Sequence, residues 1–337
     1  MNDFISLSQV DREFLIRSTA DSIGNIPPNT IEKDYWVVWM IEKLYTLEYA
    51  DHLYFRGGTS LSKVYRVIDR FSEDIDFGFD RVFFDFDDNE ISTCETVSQQ
   101  DRLVRNLNKK NKIFLRETIL HDLRKILNDI LPNGDWNLEF EQDNRQYWLI
   151  YNYPQSLLDN THNEDVYSKP NVKIEIYNNQ DNDPWQQEKV KPYISEKFPD
   201  DITSVECSTK VVSLGRTFWE KVALVHSYIE RGKFSGDRFS RHLYDLFSIA
   251  NSEQFDEIIS DRTLLAKIIE HREIFYRQPS ANYRNILNGQ LNLIPKDKLL
   301  ESTKIDYSKM DEMIYGESPK LADIIQMLGV IQHQVNG

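Results

Sequence analysis

Residues Phe55–Phe77 read FRGGTSLSKVYRVIDRFSEDIDF, and the order of residue types along this stretch decides the fold. The apolar run Leu53-Tyr54-Phe55 predicts a strand that ends at Gly57-Gly58. Residues 60–68 resume an apolar spacing near 3.6 and predict a helix, and Asp74 to Phe79 predicts a second strand. On a strand, side chains alternate faces, so Asp74 and Asp76 project together, about 7 Å apart at their Cα atoms, while Ile75 points to the core. Two carboxylates at that spacing suit a hard divalent cation that also takes substrate phosphate oxygens. Upstream, Gly57-Gly58-Thr59-Ser60 combines close backbone approach, N–H groups at a helix start and two hydroxyls, which is the chemistry of a triphosphate cradle. It is not a P-loop, because GxxxxGK[ST] is absent, and the SxxK match Ser60-Leu61-Ser62-Lys63 lacks the companion motifs of that enzyme class.

Working outward, residues 8–50 carry two helical patterns interrupted at Pro27-Pro28. Residues 101–131 predict one long helix, and Leu138–Phe140, Tyr147–Tyr151 and Val172–Tyr177 predict strands. On the last of these, Val172, Ile174 and Ile176 share one face and Lys173, Glu175 and Tyr177 the other. Thr217-Phe218-Trp219-Glu220 has the pattern of a capping box opening a helix that ends near Gly232, and another helix spans about Phe239–Ala250. The remainder is mainly helical, with turns at Asn288-Gly289 and Gly316. The expected division is a mixed α/β domain over 1–215, with helices at its N-terminal end, and a helical domain over 216–337.

Composition narrows the function. The chain has 337 residues, 40% of them hydrophobic, and a net charge of −15, which is enough for a sizeable core and unlike a disordered chain. No apolar run approaches 18 residues and the first residues lack a signal-peptide pattern, so a soluble, cytoplasmic protein without a membrane partner is expected. Cys94 and Cys207 are read as buried free thiols, and the histidines form no HExxH, so any catalytic metal would sit on carboxylates. The acidic total counts against a simple nucleic-acid binder. Yet Arg102, Arg105, Lys109, Lys110, Lys112, Arg116, Arg124 and Lys125 face only Asp101, Glu117 and Asp122 within 101–125. That segment reads either as an RNA-binding face beside a catalytic cleft or as a solvated amphipathic helix. Trp136, Tyr147, Trp148 and Tyr151 read either as base-stacking groups or as core. Lys221 stands early in its capped helix, where the dipole disfavours it, and Asp245, four residues after Arg241, reads as half of a surface ion pair.

Gly57-Gly58-Thr59-Ser60-Leu61 with Lys63, followed by Arg70-Phe71-Ser72-Glu73-Asp74-Ile75-Asp76, resembles the first two motifs of the AbiEii/AbiGii nucleotidyltransferase toxins. Ile31-Glu32-Lys33-Asp34-Tyr35-Trp36 resembles the helix before the family's first motif, Val172–Ile176 its third motif, and Glu220–Leu224 with Leu243–Leu246 its fourth. The resemblance covers roughly residues 30–250. It implies an α+β fold related to DNA polymerase β, in which Thr59 or Ser60 supplies the hydroxyl of a phosphate-gripping turn and Lys63, Arg70 and Ser72 join Gly57 and Gly58 in binding an NTP. It further implies that Asp74, Asp76 and Glu175 hold Mg²⁺, with Mn²⁺ as its substitute. Lys221 would contact a phosphate or the leaving group and Asp245 would orient it, with Arg231, Arg238 and Arg241 as further phosphate contacts. The implied reaction is Mg²⁺-dependent transfer of NMP to an acceptor, the 3′ end of a tRNA or else a protein hydroxyl, by a monomeric toxin of an abortive-infection, phage-defence system. A cognate antitoxin protein, a transcriptional repressor being one form, is the implied partner. A metal-dependent RNA phosphodiesterase, which would need no NTP, and a non-catalytic nucleotide-binding module are the rival readings.

Overall fold

The computed structural model describes residues 3–24, 26–131, 135–144, 146–157, 169–202, 205–232, 238–310 and 313–337. The chain divides into two compact units, Met1–Val64 with Phe71–Val211, and Tyr65–Arg70 with Val212–Gly337.

In the first unit, α1 (Gln9–Ile23) starts where the Ser8 hydroxyl accepts from the Asp11 N–H, and α2 (Pro28–Leu44) starts on a proline that needs no N–H there. Strand β1 (Leu53–Arg56), helix α3 (Gly57–Lys63) and strand β2 (Ile75–Phe79) follow in the expected order. The helix begins at Gly57 itself and stops at Lys63, so the stretch 64–68 is not helical as its spacing predicts. Tertiary contacts override propensity there, because residues 65–70 are built into the second unit. Short α4 (Asp88–Ser92) precedes α5 (Val97–Phe114), which opens on a capping box between Thr96 and Gln99. A π-helical turn, Leu115–Ile119, then leads into α6 (Leu120–Ile130), so the expected long helix is a run with one wide turn inside it. Strands β3 (Asn137–Asp143), β4 (Gln146–Asn152) and β5 (Asn171–Tyr177) come next, then β6 (Trp185–Val190), α7 (Tyr193–Lys197) and β7 (Cys207–Val212).

The seven strands form one mixed sheet in the order β3-β4-β5-β2-β1-β7-β6, with β2 parallel to β5 and β1 parallel to β7. One face is apolar and covered. Trp36 and Trp39 of α2 lie with ring centroids 6.0 and 6.3 Å from Tyr151, and Phe114 of α5 lies 5.5 Å from Phe79. Asn111, buried on α5, donates through Nδ2 to the Tyr147 hydroxyl (2.7 Å) and the Ile176 carbonyl (2.8 Å), satisfying a strand oxygen beyond the last β4–β5 pair. The other face carries polar side chains.

Helix α2 is buried on nearly every side, so its three consecutive charges, Glu32, Lys33 and Asp34, are only 3% exposed each. Each is tied to a different segment. Glu32 accepts from the Ser156 N–H. Lys33 pairs with Glu73 at 2.7 Å and donates to the Lys169 carbonyl, while Asp34 pairs with Lys63 at 2.7 Å and accepts from the Tyr193 N–H at 2.8 Å. Burial raises the Glu32 and Asp34 carboxyls above their ordinary values, an effect that the Ser156 N–H and the Lys63 ammonium respectively offset only in part.

The second unit is helical: α8 (Leu214–Arg231), α9 (Ser240–Ala250), α10 (Phe255–Ser260), α11 (Arg262–Phe275), α12 (Arg284–Leu287), α13 (Asp297–Met310) and α14 (Leu321–Asn336). The N-cap of α8 is Ser213, whose hydroxyl accepts from the Arg216 N–H; Thr217 lies inside the helix and does not start it. Residues 65–70 are held in this unit by the Asp69 N–H to the Tyr244 hydroxyl (3.2 Å), the Tyr315 N–H to the Asp69 carbonyl (2.7 Å) and a bridge between Arg70 and Ile314. Cys207 is buried, and burial pushes its thiol up to about 12; Cys94 is only half-buried, unlike the expectation.

Truncating one member of a buried ion pair strands the other charge, so Lys33→Ala should destabilise the first unit by about 3–5 kcal/mol. Native-state hydrogen exchange of the α3 and β2 amides measures this, and Lys33→Met combined with Glu73→Leu is expected to recover most of the protection.

Candidate active site

The polar face of the sheet gathers the carboxylates. Asp76 on β2 is the register partner of Glu175 on parallel β5 and of Arg56 on antiparallel β1. Adjacent strands lie about 4.8 Å apart, so Asp76 and Glu175 stand side by side, and Asp74, just before β2, falls on the same side by alternation. Ile75 and Phe77 fill the opposite, apolar face at no more than 1% exposure.

Gly57 explains how Asp76 is placed. It has φ +79°, and a Cβ built on it would come 2.0 Å from Asp76 Oδ2 and under 3 Å from Asp76 Cγ and Cβ. The glycine therefore supplies the left-handed turn from β1 into α3 and also the room for the carboxylate. Gly78, two residues further along β2, does the same for a loop. A Cβ there would meet Asn182 Oδ1 at 1.9 Å, and Arg56 Nη1 donates to Asn182 Oδ1 (3.4 Å) and to the Asp181 carbonyl (3.3 Å). Glu175 is held at Oε1 by Lys173 Nζ (2.5 Å) and the Tyr177 hydroxyl (3.3 Å), which leaves Oε2 for other work. Lys173 also lies 4.4 Å from the centroid of the Trp148 ring, whose Nε1 donates to Glu141 Oε2 at 3.0 Å.

The two hydroxyls of the glycine turn point inward. Thr59 Oγ1 donates to the Asp74 carbonyl at 2.5 Å and lies 3.1 Å from Ser72 Oγ, tying α3 to the backbone that leads into β2. Ser60 Oγ donates to the Gly57 carbonyl at 2.9 Å. Both side chains are at most 1% exposed, so here Thr59, Ser60 and Ser72 shape the turn. Lys63, expected from the resemblance to contact a phosphate, has its ammonium on Asp34 at 2.7 Å and 3.5 Å from the Tyr193 ring centroid. Its positive charge balances a carboxylate in the interior.

Among the described residues no three His, Cys, Asp or Glu side chains converge as a metal-holding group. Asp76 and Glu175 are neighbours across β2 and β5, and one or two carboxylates completed by water and substrate phosphates is the usual way in which protein side chains take Mg²⁺.

In the second unit, Asp245 is fully buried and accepts a two-pronged bond from Arg70, Nε to Oδ1 at 2.7 Å and Nη2 to Oδ2 at 2.8 Å, while Lys221 Nζ lies 2.8 Å from Oδ2. Asp245 thus pairs with these two cations and not with Arg241, and Arg70, expected from the resemblance to bind an NTP, is only 2% exposed and supports that carboxylate. Lys221 is the eighth residue of α8, beyond the first turn, so the dipole penalty expected for it does not apply. Burial would lift the Asp245 carboxyl, but Arg70 and Lys221 outweigh it and hold the group far below the usual range. Burial, then Lys221 and Arg241, keep the His242 imidazole neutral, and its Nδ1 has no hydrogen-bond partner among the described residues. His242, Arg56 and the α2 charges escaped the sequence reading; the signal for the last was three charges inside the otherwise apolar run from Ile31 to Ile41.

The basic segment sits differently from its expectation. Val104, Leu107 and Asn111 turn one side of α5 onto the apolar face of the sheet, so the helix lies on the side opposite the carboxylates and not beside them. Tyr147 and Tyr151 are core, the Trp136 Nε1 donates to the Leu131 carbonyl, and Trp148 is the half-exposed aromatic on the carboxylate face.

Residues 40–327 match the family described as Nucleotidyl transferase AbiEii toxin, Type IV TA system. The chain belongs to this family of nucleotidyltransferase toxins. Its systems pair toxin with antitoxin, so an antitoxin is a partner of the chain. A solved structure, MenT4, a nucleotidyltransferase toxin from Mycobacterium tuberculosis H37Rv, is similar at a TM-score of 0.46 and 14% identity over 97% of this chain and 99% of that one. No curated protein matches the sequence. No helix among the described residues is long and apolar enough to cross a membrane.

Gly57→Ala should move the Asp76 carboxylate by about 1 Å and lower nucleotidyl transfer about 100-fold, with circular dichroism unchanged. Asp245 has a depressed folded value, so its stabilisation is present above about pH 4 and is lost as pH falls through that value. Asp245→Asn should therefore lower thermal stability clearly at pH 7, and the gap to wild type should narrow by pH 3.

Proposed function

We propose that the chain transfers a nucleoside monophosphate from an NTP to the 3′-terminal hydroxyl of a tRNA and so blocks translation. The observation that carries this reading is the pairing of Asp76 with Glu175 across β2 and β5, with Asp74 beside them and Gly57 making the room. Asp74, Asp76 and Glu175 are the residues that would hold Mg²⁺, or Mn²⁺, which supplies charge neutralisation of the triphosphate and of the departing pyrophosphate.

The backbone of Gly57 and Gly58 approaches the phosphates without side-chain obstruction. Thr59, bonded to the Asp74 carbonyl, fixes the turn against the carboxylate strand, so positioning is established before substrate arrives. The acceptor oxygen forms a bond to the α-phosphorus, the bond to the bridging oxygen breaks, and pyrophosphate leaves. The proton passes to a carboxylate of this face, and Glu175 Oε2 is the oxygen not engaged by Lys173 or Tyr177. In the second unit, Lys221, held by Asp245 and 11% exposed, is the ammonium offered to a phosphate oxygen, and Arg70 and Asp245 position it. Arg231, Arg238 and Arg241 remain secondary phosphate contacts, and the toxin acts as a monomer in the bacterial cytoplasm.

Incubating the protein with Mg²⁺, each labelled NTP and total tRNA tests the reading. Label should enter tRNA with wild type and fall at least about 100-fold with Asp76→Asn. RNA cleaved without NTP would favour a phosphodiesterase, label on protein would move the acceptor to a protein hydroxyl, and equal labelling by the variant would dismiss the site.

A further inference from the structure

Between Arg102 and Arg116 there is no acidic residue. At 100° per residue, Arg102, Arg105, Lys109 and Lys112 fall within roughly one quarter of the helical circumference, opposite the buried positions Val104, Leu107 and Asn111. Successive members of the row rise by about 4.5 and 6 Å along the axis. Arg102, Arg105, Lys109 and Arg116 are exposed and Lys112 is half-buried. Lys110, off this row, is engaged with the Phe84 carbonyl, and Arg116 pairs with Glu117 at 2.6 Å. Arg102, Arg105, Lys109 and Lys112 make no hydrogen bond or ion pair among the described residues, on a chain with 55 acidic side chains available for pairing.

Four aligned like charges that form no ion pair repel one another and weaken the helix that carries them. A polyanion laid along the row removes that repulsion and releases its own counterions. Location selects the part of the ligand. The row lies on the outer side of α5, and α5 covers the apolar face of the sheet, so at least one helix diameter, about 10–12 Å, and the sheet itself separate the row from Asp76 and Glu175. An RNA end at the carboxylates does not touch the row, whereas the body of a folded RNA extends far enough to do so.

We infer that the outer face of α5 is a remote docking site for the sugar–phosphate backbone of the acceptor RNA, gripping the body of a folded RNA while its 3′ end reaches the carboxylate face. This rests on the reading that the acceptor is RNA. Phosphate contacts of this kind position without reading sequence, so the site confers affinity for folded RNA in general and leaves base choice to the other face.

The test compares wild type with Arg102→Gln/Arg105→Gln/Lys109→Gln/Lys112→Gln in binding total tRNA and a short single-stranded oligonucleotide with the tRNA 3′ sequence, by fluorescence anisotropy from 50 to 200 mM salt. The slope of log affinity against log salt should fall by about 3 for tRNA, with about tenfold or greater loss at 50 mM, and the oligonucleotide should bind both proteins alike. Arg102→Lys/Arg105→Lys should keep the wild-type slope, and a melting temperature of the quadruple variant no lower than that of wild type separates loss of charge from loss of fold. An unchanged tRNA slope in the quadruple variant overturns the inference, including when that variant has lost affinity for poly-glutamate, which would assign the row to an acidic protein. Equal losses for tRNA and oligonucleotide overturn it by placing the row at the acceptor end. Failure of wild type to bind any tRNA instead removes the RNA reading on which the inference rests.

Discussion

The site depends on three buried charges in the middle of one helix. Glu32, Lys33 and Asp34 emerge from α2 in directions about 100° apart, and because the helix is enclosed each has to find a partner in the interior. Asp34 takes Lys63 and so fixes the C-terminal end of α3; Lys33 takes Glu73 and so fixes the turn that leads into β2. The two segments that bring Gly57 and Asp76 into contact are thereby anchored to the same turn of the same helix. Replacing such charges by apolar groups of similar size can be neutral for stability, but losing one partner is not. The arrangement suits a site in which a carboxylate must keep its place against a glycine, where a Cβ would come 2.0 Å from its oxygen.

A second network repeats the principle in the helical unit. Arg70 ends the short segment 65–70, and its guanidinium grips Asp245, which in turn holds Lys221. The motif residues that read as phosphate contacts thus divide into two groups. Lys63 and Arg70 are buried cations paired with the Asp34 and Asp245 carboxylates, whereas Asp76, Glu175 and Lys221 keep partial exposure.

Much of this was legible in the sequence. The order of strand, glycine turn, helix and strand is written in local preferences, and the alternation that puts Asp76 and Glu175 on polar faces is a property of the strand itself. Their adjacency is not local, because it follows from the parallel pairing of β2 with β5. Strands β6 and β7 were missed because Gln186, Gln187 and Glu188, like Ser208, Thr209 and Lys210, are consecutive polar residues that resemble a loop. The fate of Lys63 and Arg70 was hidden because a lysine or arginine near a glycine turn looks the same in sequence whether its partner is a phosphate or a buried carboxylate. The basic row on α5 was visible as composition, but its distance from the carboxylates depends on which side of the sheet Asn111 and Leu107 face.

The most direct test of the account is anomalous diffraction from crystals of the protein with Mn²⁺ and a non-hydrolysable NTP analogue. The account predicts an anomalous peak within coordination distance of the Asp76 and Glu175 carboxylates, shared with the triphosphate, and a glycine turn whose backbone faces the phosphates. A bound nucleotide whose triphosphate and metal lie away from Asp74, Asp76 and Glu175 would contradict it.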